Sequence, residues 1–307
     1  MRPFYAHGLR PGNNSCFRAF LFPLPARLLP RMYNQRKCNM DLEIRRTRLP
    51  VLVITMKRHG HWLLPVSIVA ALLVWEGVVR ALPNLPAFIL PPPSLIARRF
   101  AQVLADGSLL RHTGVTLLEV LMGLFSGSLL ASLTGYVLAK SPVLEKVLSP
   151  YLVASQAVPV VAIAPLLILW FGPGFFSKVL ICALTVFFPI LVNTVVGLRS
   201  VPENLRDLMR SLEATPLQVA RHLEIPAALP VFLGGLRVGA TLSVIGAVVG
   251  EFVGSDRGLG FLINIGRGQY DTALVFVAIF SLVAMALSLY GVVILLEKRF
   301  LIWQRKP

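Results

Sequence analysis

Six long apolar stretches dominate the sequence, and each is long enough to cross a lipid bilayer as a helix. A membrane-spanning helix needs about 20 mostly apolar residues, because backbone polar groups in lipid must be bonded within the segment itself. The stretches that meet this length are residues 62 to 82, 112 to 139, 147 to 171, 177 to 198, 227 to 254 and 272 to 297. The sequence therefore predicts an all-α membrane protein with about six transmembrane helices.

The composition supports a membrane protein rather than a soluble one. Hydrophobic residues make up 56% of the 307 residues and charged residues only 14%, whereas about 25% of the residues of a soluble domain are charged. The three cysteines, Cys16, Cys38 and Cys182, lie far apart and form no metal-ligand spacing. We therefore expect neither a disulfide framework nor a metal site.

Much of the basic charge lies in the first 55 residues. The formal net charge is +16, and residues 1 to 55 hold ten Lys and Arg against two acids. This uneven distribution argues against a nucleic-acid partner. The tail also lacks the apolar core and small-residue cleavage site of a secretory signal. We expect residues 1 to 55 to be a disordered or mis-assigned extension, with a transit peptide as the alternative, and residues 56 to 307 to form the transmembrane domain.

A proline-rich segment separates the first two apolar stretches. Pro91, Pro92 and Pro93 prevent the first helix from continuing, and Ser94 can cap a new helix after them. The apolar residues of this new helix share one face, and they are Leu95, Ile96, Phe100, Val103 and Leu104. The pattern predicts a short helix that lies in the membrane interface rather than crossing the membrane.

The distribution of Lys and Arg predicts the orientation in the membrane. From Met56 onward, twelve of these residues lie before the first span, in residues 140 to 146 and 199 to 226, or at the C-terminus, whereas seven lie on the opposite side. Positively charged connections are enriched on the cytoplasmic side. We therefore expect both termini and residues 199 to 226 to be cytoplasmic, and the interfacial helix to be periplasmic.

A charged segment with helical periodicity follows the fourth apolar stretch. Its apolar residues Leu205, Leu208, Met209 and Leu212 fall on one helical face. Thr215, Pro216 and Gln218 then form the pattern of a capping box at the start of a second helix. The sequence predicts two short helices joined by a sharp turn at residues 213 to 215, the second ending at Pro226. They either rest on the lipid headgroups or dock into a cytoplasmic partner.

This segment resembles the cytoplasmic loop of permease subunits from binding-protein-dependent ABC importers. The family pattern is E-A-A, three residues, G, nine residues, I, one residue, and L-P. Asp207-Leu208-Met209 takes the place of E-A-A, and Glu213 replaces the Gly, whose turn conformation costs another residue roughly 1 kcal/mol or more. The ATPase-coupling residues that the resemblance implies are Asp207, Leu208, Met209, Ser211, Glu213, Ala214, Leu223 and Pro226.

Other segments resemble permeases of the nitrate, sulfonate and taurine transporter group. They are residues 88 to 100, 170 to 179, 225 to 239 and 250 to 263, and the similarity covers about residues 60 to 300. The resemblance implies a bacterial inner-membrane permease with three kinds of protein partner: a second permease copy, a dimer of ATP-binding subunits, and a periplasmic or lipid-anchored solute-binding protein. The implied solutes are nitrate-like, sulfonate-like or taurine-like anions, or pyrimidine-like or riboflavin-like vitamin precursors.

The sequence predicts that ATP is bound by another polypeptide. It contains no G-x-x-x-x-G-K-[ST] phosphate-binding loop. We therefore expect a transport subunit that is not itself an enzyme and binds no cofactor. An ATP-independent channel or carrier is the main alternative, and it would need no docking helices. A membrane enzyme is a second alternative, but no His, Asp and Glu cluster or Ser, His and Asp set recurs in the predicted spans.

Polar residues inside the predicted spans are candidates for the translocation path. The charged ones are Glu76, Glu119, Arg237 and Glu251. We expect the glutamates to reach the outer membrane surface or to pair with Arg80 or Arg111. Arg237 lies deeper, where it either forms a salt bridge or attracts an anionic solute. The candidate path residues are Gln156, Pro159, Asn193, Arg237 and Glu251.

Small residues and prolines predict how the spans pack and bend. The small residues of the second span that share a face are Gly123, Gly127 and Gly135. Such a face usually lets a neighbouring helix approach closely. The prolines expected to bend the third and fourth spans are Pro159, Pro165 and Pro189.

Overall fold

The computed structural model describes residues 60–82, 86 and 88–301, and the regular elements there are helices. They are α1 (Gly60–Ala81), α2 (Pro93–Ala105), α3 (Ser108–Lys140), α4 (Pro142–Gln156), α5 (Val160–Phe171), α6 (Phe175–Arg199), α7 (Glu203–Ser211), α8 (Pro216–Val219), α9 (Ile225–Gly254), α10 (Leu259–Gly268) and α11 (Thr272–Phe300). A π-helical turn, Ala220–Glu224, joins α8 to α9. The prediction of an all-α fold is confirmed.

The chain divides into two compact units, Met1–Ile68 and Val69–Pro307. Within the first unit, the described residues form only the beginning of α1, from residue 60 to residue 68. The predicted extension, residues 1 to 55, lies outside the described residues, and its boundary stays a prediction. The packing and the candidate sites below all belong to the second unit.

Helix α6 lies at the centre of the second unit, where it packs against both α3 and α9. Small residues make this close packing possible, as the sequence predicts. A Cβ added at Gly127 would come within 2.6 Å of the Ala183 carbonyl oxygen, and one added at Gly246 within 2.9 Å of the Cys182 Cα. The backbones of the three helices therefore approach too closely for larger side chains at these two positions.

Among the residues that the structure describes, four helical segments are long and apolar enough to cross a membrane, or five if the bent pair α4 and α5 forms one span. The four are α3, α6, the continuous segment Pro216–Gly254, and α11. The predicted first crossing coincides with α1, whose first five side chains lie outside the described residues. The total of six crossings therefore stays a prediction.

The predicted third crossing, residues 147 to 171, is not one continuous helix. It breaks between α4 and α5, whose axes differ in direction by 92°. Pro159 lies at the break with φ of −63° and ψ of 125°, which is an extended conformation. Proline has no backbone N–H and disfavours helix at the preceding residue, so the chain changes direction there. Helices α5 and α6 continue past Pro165 and Pro189.

The predicted cap of the proline-rich helix is wrong. Pro92 occupies the cap position of α2, and Ser94 already lies inside the helix. Ser94 instead donates two hydrogen bonds to Glu76, from its backbone nitrogen at 3.0 Å and its hydroxyl at 2.8 Å. Ile96 and Val103 of the predicted apolar face are buried. The position of α2 in the membrane interface stays a prediction.

Candidate functional site

Helix α7 carries an apolar stripe that the rest of the described chain leaves uncovered. Leu208 is 54% exposed and Leu212 is 67% exposed. Asp207, beside the stripe, forms an exposed ion pair with Arg210 at 2.9 Å. Because exposed leucines gain free energy when they leave water, this stripe is available to a partner surface or to lipid. The exposed stripe of α7 is therefore compatible both with rest on the lipid headgroups and with docking into a cytoplasmic partner.

The turn after α7 takes the conformation that a glycine would take. Glu213 has a φ of +52°, in the left-handed region. This conformation costs a non-glycine residue roughly 1 to 2 kcal/mol. Two backbone hydrogen bonds hold the turn, from Glu213 to the Arg210 carbonyl at 2.9 Å and from Ala214 to the Met209 carbonyl at 3.0 Å. The sharp turn at residues 213 to 215 is confirmed, with Glu213 in the strained position.

Helix α8 begins with the predicted capping box. The Gln218 side chain accepts a hydrogen bond from the Thr215 backbone nitrogen at 2.8 Å, and the Thr215 hydroxyl accepts one from the Gln218 backbone nitrogen at 3.4 Å. Pro216 occupies the first helical position, where a missing N–H leaves no bond unmade. The start of the second helix is therefore fixed by three neighbouring residues.

The predicted end of the second helix at Pro226 is wrong. The Ile225 backbone nitrogen donates to the carbonyl of Ala220, five residues earlier, which is the bond of a π-helical turn. This wider turn ends at Glu224, and the helix continues through Pro226 into α9 as one segment, Pro216–Gly254. A movement of α8 is therefore passed directly to the spanning helix α9.

A buried carboxylate anchors this junction to α3. The Glu224 side chain is only 2% exposed, and it pairs with Lys140 Nζ at 2.6 Å. The Tyr136 hydroxyl lies 3.4 Å from the other Glu224 oxygen. Residues 140 and 224 lie far apart in sequence, so local periodicity gave no sign of their pairing. The only feature of the sequence that could have indicated this ion pair was the presence of a carboxylate, Glu224, in a helical segment next to a membrane span.

The other end of the charged segment is anchored to α6. Arg206 donates from Nη2 to the Leu198 carbonyl at 2.8 Å. Arg199, the last residue of α6, forms an ion pair with Glu145 of α4. The segment from residue 203 to residue 226 is therefore tied to α6 at one end and to α3 and α9 at the other.

A second polar cluster is buried near the opposite ends of the same helices. Glu119 of α3 is 1% exposed and lies 3.3 Å from Lys178 Nζ of α6. Lys178 also donates to the Ser255 hydroxyl at 2.6 Å. Neither Glu119 oxygen has a hydrogen-bond partner among the described residues. The predicted pairing of this glutamate with Arg80 or Arg111 is therefore wrong, whereas Glu76 does pair with Arg80.

Glu251 of α9 is fully buried in this cluster and binds the loop that follows its own helix. Its two oxygens accept hydrogen bonds from the Thr116 hydroxyl at 2.7 Å and from the Gly260 nitrogen at 2.5 Å. Gly258 has a φ of +111°, and a Cβ there would lie 2.0 Å from Glu251. Glycine is therefore required for the loop backbone to fold over the carboxylate. This contact corrects the expectation that Glu251 pairs with Arg80 or Arg111.

Two further path candidates have partners inside the bundle. Arg237 Nη2 forms a salt bridge with Glu297 of α11 at 2.5 Å. Asn193 donates from its side-chain nitrogen to the Pro189 carbonyl at 2.7 Å. These contacts, like those of Glu251, favour a role in holding helices together. The path role of all three residues stays a prediction.

The remaining path candidates lie together at the break between α4 and α5. Gln156 is the last residue of α4, and Pro159 directly precedes α5. Both are exposed. A cavity of about 380 Å³ lies beside the break, and Gln156 lines it. The five candidates of the sequence therefore do not form one site, and only Gln156 and Pro159 adjoin a cavity at a broken helix.

Within the described residues, no group of three or more His, Cys, Asp or Glu side chains is placed to hold a metal ion. The buried polar clusters pair acidic with basic side chains or backbone groups instead. These contacts join neighbouring helices of the bundle.

A comparison of the sequence with known protein families identifies the family of this chain. Residues 123–302 match the family described as the binding-protein-dependent transport system inner membrane component. The chain belongs to this family. The match begins within α3 and includes the charged segment and α11, so it covers the cluster around Glu224 and, of the second cluster, Lys178 and Glu251 but not Glu119. The chain is thus the membrane-spanning permease subunit of an ABC importer for a small solute, and it works with ATPase subunits.

Curated relatives agree with the family. The chain is 49% identical over 241 residues to the riboflavin transport system permease protein RibX of Chloroflexus aurantiacus, covering 78% of this chain and 90% of the relative. It is 36% identical over 252 residues to the formylaminopyrimidine transport permease protein ThiX of Halalkalibacterium halodurans, covering 82% and 100%. It is 29% identical over 234 residues to the taurine transport system permease protein TauC of Escherichia coli, covering 74% and 85%.

A solved structure shows the same fold. The permease chain in an inward-facing structure of the MetNI methionine ABC transporter aligns with a TM-score of 0.55 and 19% identity. The alignment covers 64% of this chain and 97% of that chain. The family match and the curated relatives confirm the resemblance to ABC importer permeases, and with it a location in the inner membrane as a multi-pass protein.

Proposed function

We propose that residues 203 to 226 couple the partner ATPase to the membrane spans. The observation that carries this proposal is the exposed stripe of Leu208 and Leu212 on a helix anchored at both ends of its loop. An amphipathic helix of this kind fits a hydrophobic groove on a partner. The proposed contact residues are Asp207, Leu208, Met209, Ser211, Glu213, Ala214, Leu223 and Pro226.

The anchoring explains how movement of the loop reaches the spans. One end of the loop is bonded to α6 through Arg206, and the other continues without interruption into α9. Helices α6 and α9 also pack tightly against each other. Closure of an ATPase pair around the loop would therefore rotate these helices together as a rigid body. Such rocking exposes a central path alternately to the two sides of the membrane.

The complete importer contains other subunits besides this chain. We propose two permease copies, a dimer of ATP-binding subunits that bind and hydrolyse ATP, and a solute-binding protein at the outer face. Both termini and the coupling loop face the cytoplasm in this arrangement. The excess of Lys and Arg on that side of the sequence supports the orientation.

The names of the relatives suggest the class of transported solute. Relatives are named for riboflavin, formylaminopyrimidine and taurine transport. We propose that this chain carries a solute of one of these kinds, either an aromatic nitrogen heterocycle or a small sulfonated anion. The 49% identity to the riboflavin system permease supports the heterocycle.

Introducing a positive charge into the apolar stripe of α7 tests the proposal. Leu208→Arg places a cation in the exposed stripe, and we expect ATP-driven uptake by the assembled importer in liposomes to fall at least tenfold. Leu208→Met keeps the apolar contact and is the matched control, with uptake close to that of the wild type. Equal amounts of both variants in the membrane must be verified. Undiminished uptake by Leu208→Arg would refute the coupling role.

The same assay separates an importer from an ATP-independent channel or carrier. The importer requires ATP and the ATPase subunit for uptake, whereas a channel or carrier moves solute with this chain alone. Vesicles that contain only the purified chain are therefore expected to show no net uptake. Solute movement in these vesicles would favour the alternative.

A further inference from the structure

The break between α4 and α5 leaves irregular backbone uncovered. Residues 157 to 159 are exposed, and no side chain caps the start of α5 at Pro159. The ends of helices carry backbone groups without helical partners. Such backbone is tolerated at membrane depth only where it is covered by protein or lines a water-filled cavity. The face of this break is therefore unsuited to contact with lipid.

A cavity of about 380 Å³ opens at this face, and its size lies within the range of small-molecule sites. Its walls come from the broken pair and from α6 and α9, with Leu184, Phe188 and Leu242 among the apolar residues. Ser155, Gln156 and Thr185 supply its polar groups. The cavity thus combines mostly apolar walls with a few hydrogen-bonding groups.

The described lining of this cavity carries no charged side chain. The cations of α6 and α9 that lie within the bundle, Lys178 and Arg237, are not part of this lining and pair with Glu119 and Glu297. An anion that left water for this cavity would meet no opposite charge, and burial of an unpaired charge is costly. The lining therefore favours an uncharged molecule.

The polar groups of the lining also indicate the shape of the molecule. The Gln156 amide offers one acceptor and two donors, which complement the amide or imide edge of a heterocyclic ring. Phe188 offers an aromatic surface, and its ring packs edge-on against Phe187 with centroids 5.2 Å apart. An orientation fixed by this contact suits stacking with a planar ring.

We propose that this cavity is a contact site for the transported solute and that it takes an uncharged, planar nitrogen heterocycle. The inference rests on the proposed import function and narrows it to one substrate class. The heterocycle hydrogen-bonds to Gln156 and stacks on Phe188, while α4 and α5 change their angle as the importer alternates between states. A sulfonated anion has no favourable site here.

Protection from thiol labelling tests whether the solute occupies the cavity. Val158→Cys, an exposed lining position that is not one of the two proposed contacts, is introduced with Cys16, Cys38 and Cys182 replaced, and the assembled importer in liposomes is treated with a small water-soluble maleimide. We expect labelling that slows at least fivefold with riboflavin or formylaminopyrimidine and is unchanged with taurine. Val143→Cys, an exposed position outside the cavity, is the control and is expected to label equally with all three.

Three results would overturn the proposal. Absence of labelling at position 158 would mean that a second copy or lipid covers the cavity. Protection by taurine would assign a sulfonate site, and protection by none of the three compounds would remove the solute from the cavity.

Uptake measurements distinguish failure of this inference from failure of the import function. We expect Gln156→Leu and Phe188→Ala to lower ATP-driven uptake of the heterocycle at least fivefold, while Gln156→Asn retains more of it. Unchanged uptake in the first two variants would refute the contact site and leave the import function intact. Absence of ATP-driven uptake of all three probes by the wild type would refute the proposed import function itself.

Discussion

Replacement of Lys178 by methionine is expected to destabilise the bundle strongly. Lys178 is 4% exposed and is the cation that faces Glu119 in the buried cluster between α3, α6 and α9. Methionine has a similar length but no charge, so the change leaves a glutamate without its partner while the packing volume changes little. The loss of unfolding free energy in this variant therefore measures the electrostatic contribution of Lys178 to the buried cluster.

The geometry gives the size of the effect. At the observed separation of 3.3 Å, two unit charges attract each other by about 5 kcal/mol at an effective dielectric constant of about 20. Part of this attraction is offset in the wild type by the cost of desolvating both groups. Removing one partner of a buried pair typically costs about 3–5 kcal/mol, because the remaining charge stays buried. Because Glu119 shares this cation with the second buried carboxyl, Glu251, we expect the loss for Lys178→Met to reach at most this range.

A double-mutant cycle isolates the pair from other effects of the substitution. Glu119→Gln removes one of the two buried carboxyls that Lys178 faces, the other being Glu251, so Lys178→Met combined with Glu119→Gln is expected to recover part of the loss, about 1 kcal/mol or more. The free energy of unfolding is measured by detergent titration of the purified protein in mixed micelles. A loss below about 1 kcal/mol, or no recovery in the double variant, would refute an internal ion pair at this position.

Two further substitutions test the helix contacts and the coupling turn. Gly127→Ala places a methyl group 2.6 Å from a backbone oxygen of α6, so unfolding free energy is expected to fall by about 1–3 kcal/mol. Gly234→Ala, with open space around it, is the control, and an equal loss there would contradict the packing argument. Glu213→Gly is expected to stabilise the turn by about 1 kcal/mol, and faster amide hydrogen exchange at residues 209 to 215 would contradict this.

The features that follow from local chemistry could be predicted from the sequence. Thr215 and Gln218 form a capping box because both partners lie within one helical turn. The left-handed turn at Glu213 was predictable because its spacing matches a glycine in a family pattern. The apolar lengths alone indicated an all-helical membrane protein.

Features that depend on contacts between distant residues could not be predicted in this way. Glu224 pairs with Lys140 and Glu119 pairs with Lys178 because the bundle brings α3 next to α6 and α9. Helical periodicity identifies the face of a residue but not the residue across from it. For this reason the predicted partners of Glu119 and Glu251 were wrong, whereas the pairing of Glu76 with Arg80, one helical turn away, was predicted correctly.

The predictions of how the helices behave at two prolines were also wrong. The bend at Pro159 was expected, but it separates two helices rather than bending one. At Pro226 the opposite happened, because the π-helical turn before it allowed the helix to continue. A proline removes one N–H in both places, and the surrounding backbone decides whether the helix breaks or widens.

Photo-crosslinking from position 208 tests the central claim most directly, that the segment after α6 is held by a separate ATPase. A photoreactive amino acid is placed at residue 208 of α7 or at residue 295 of α11, where Leu295 is also exposed, and the assembled importer is irradiated in its membrane. The account predicts a crosslink to the ATPase subunit from position 208 and none from position 295. Crosslinks from position 208 to lipid alone, or labelling of that position from outside the cell, would contradict it.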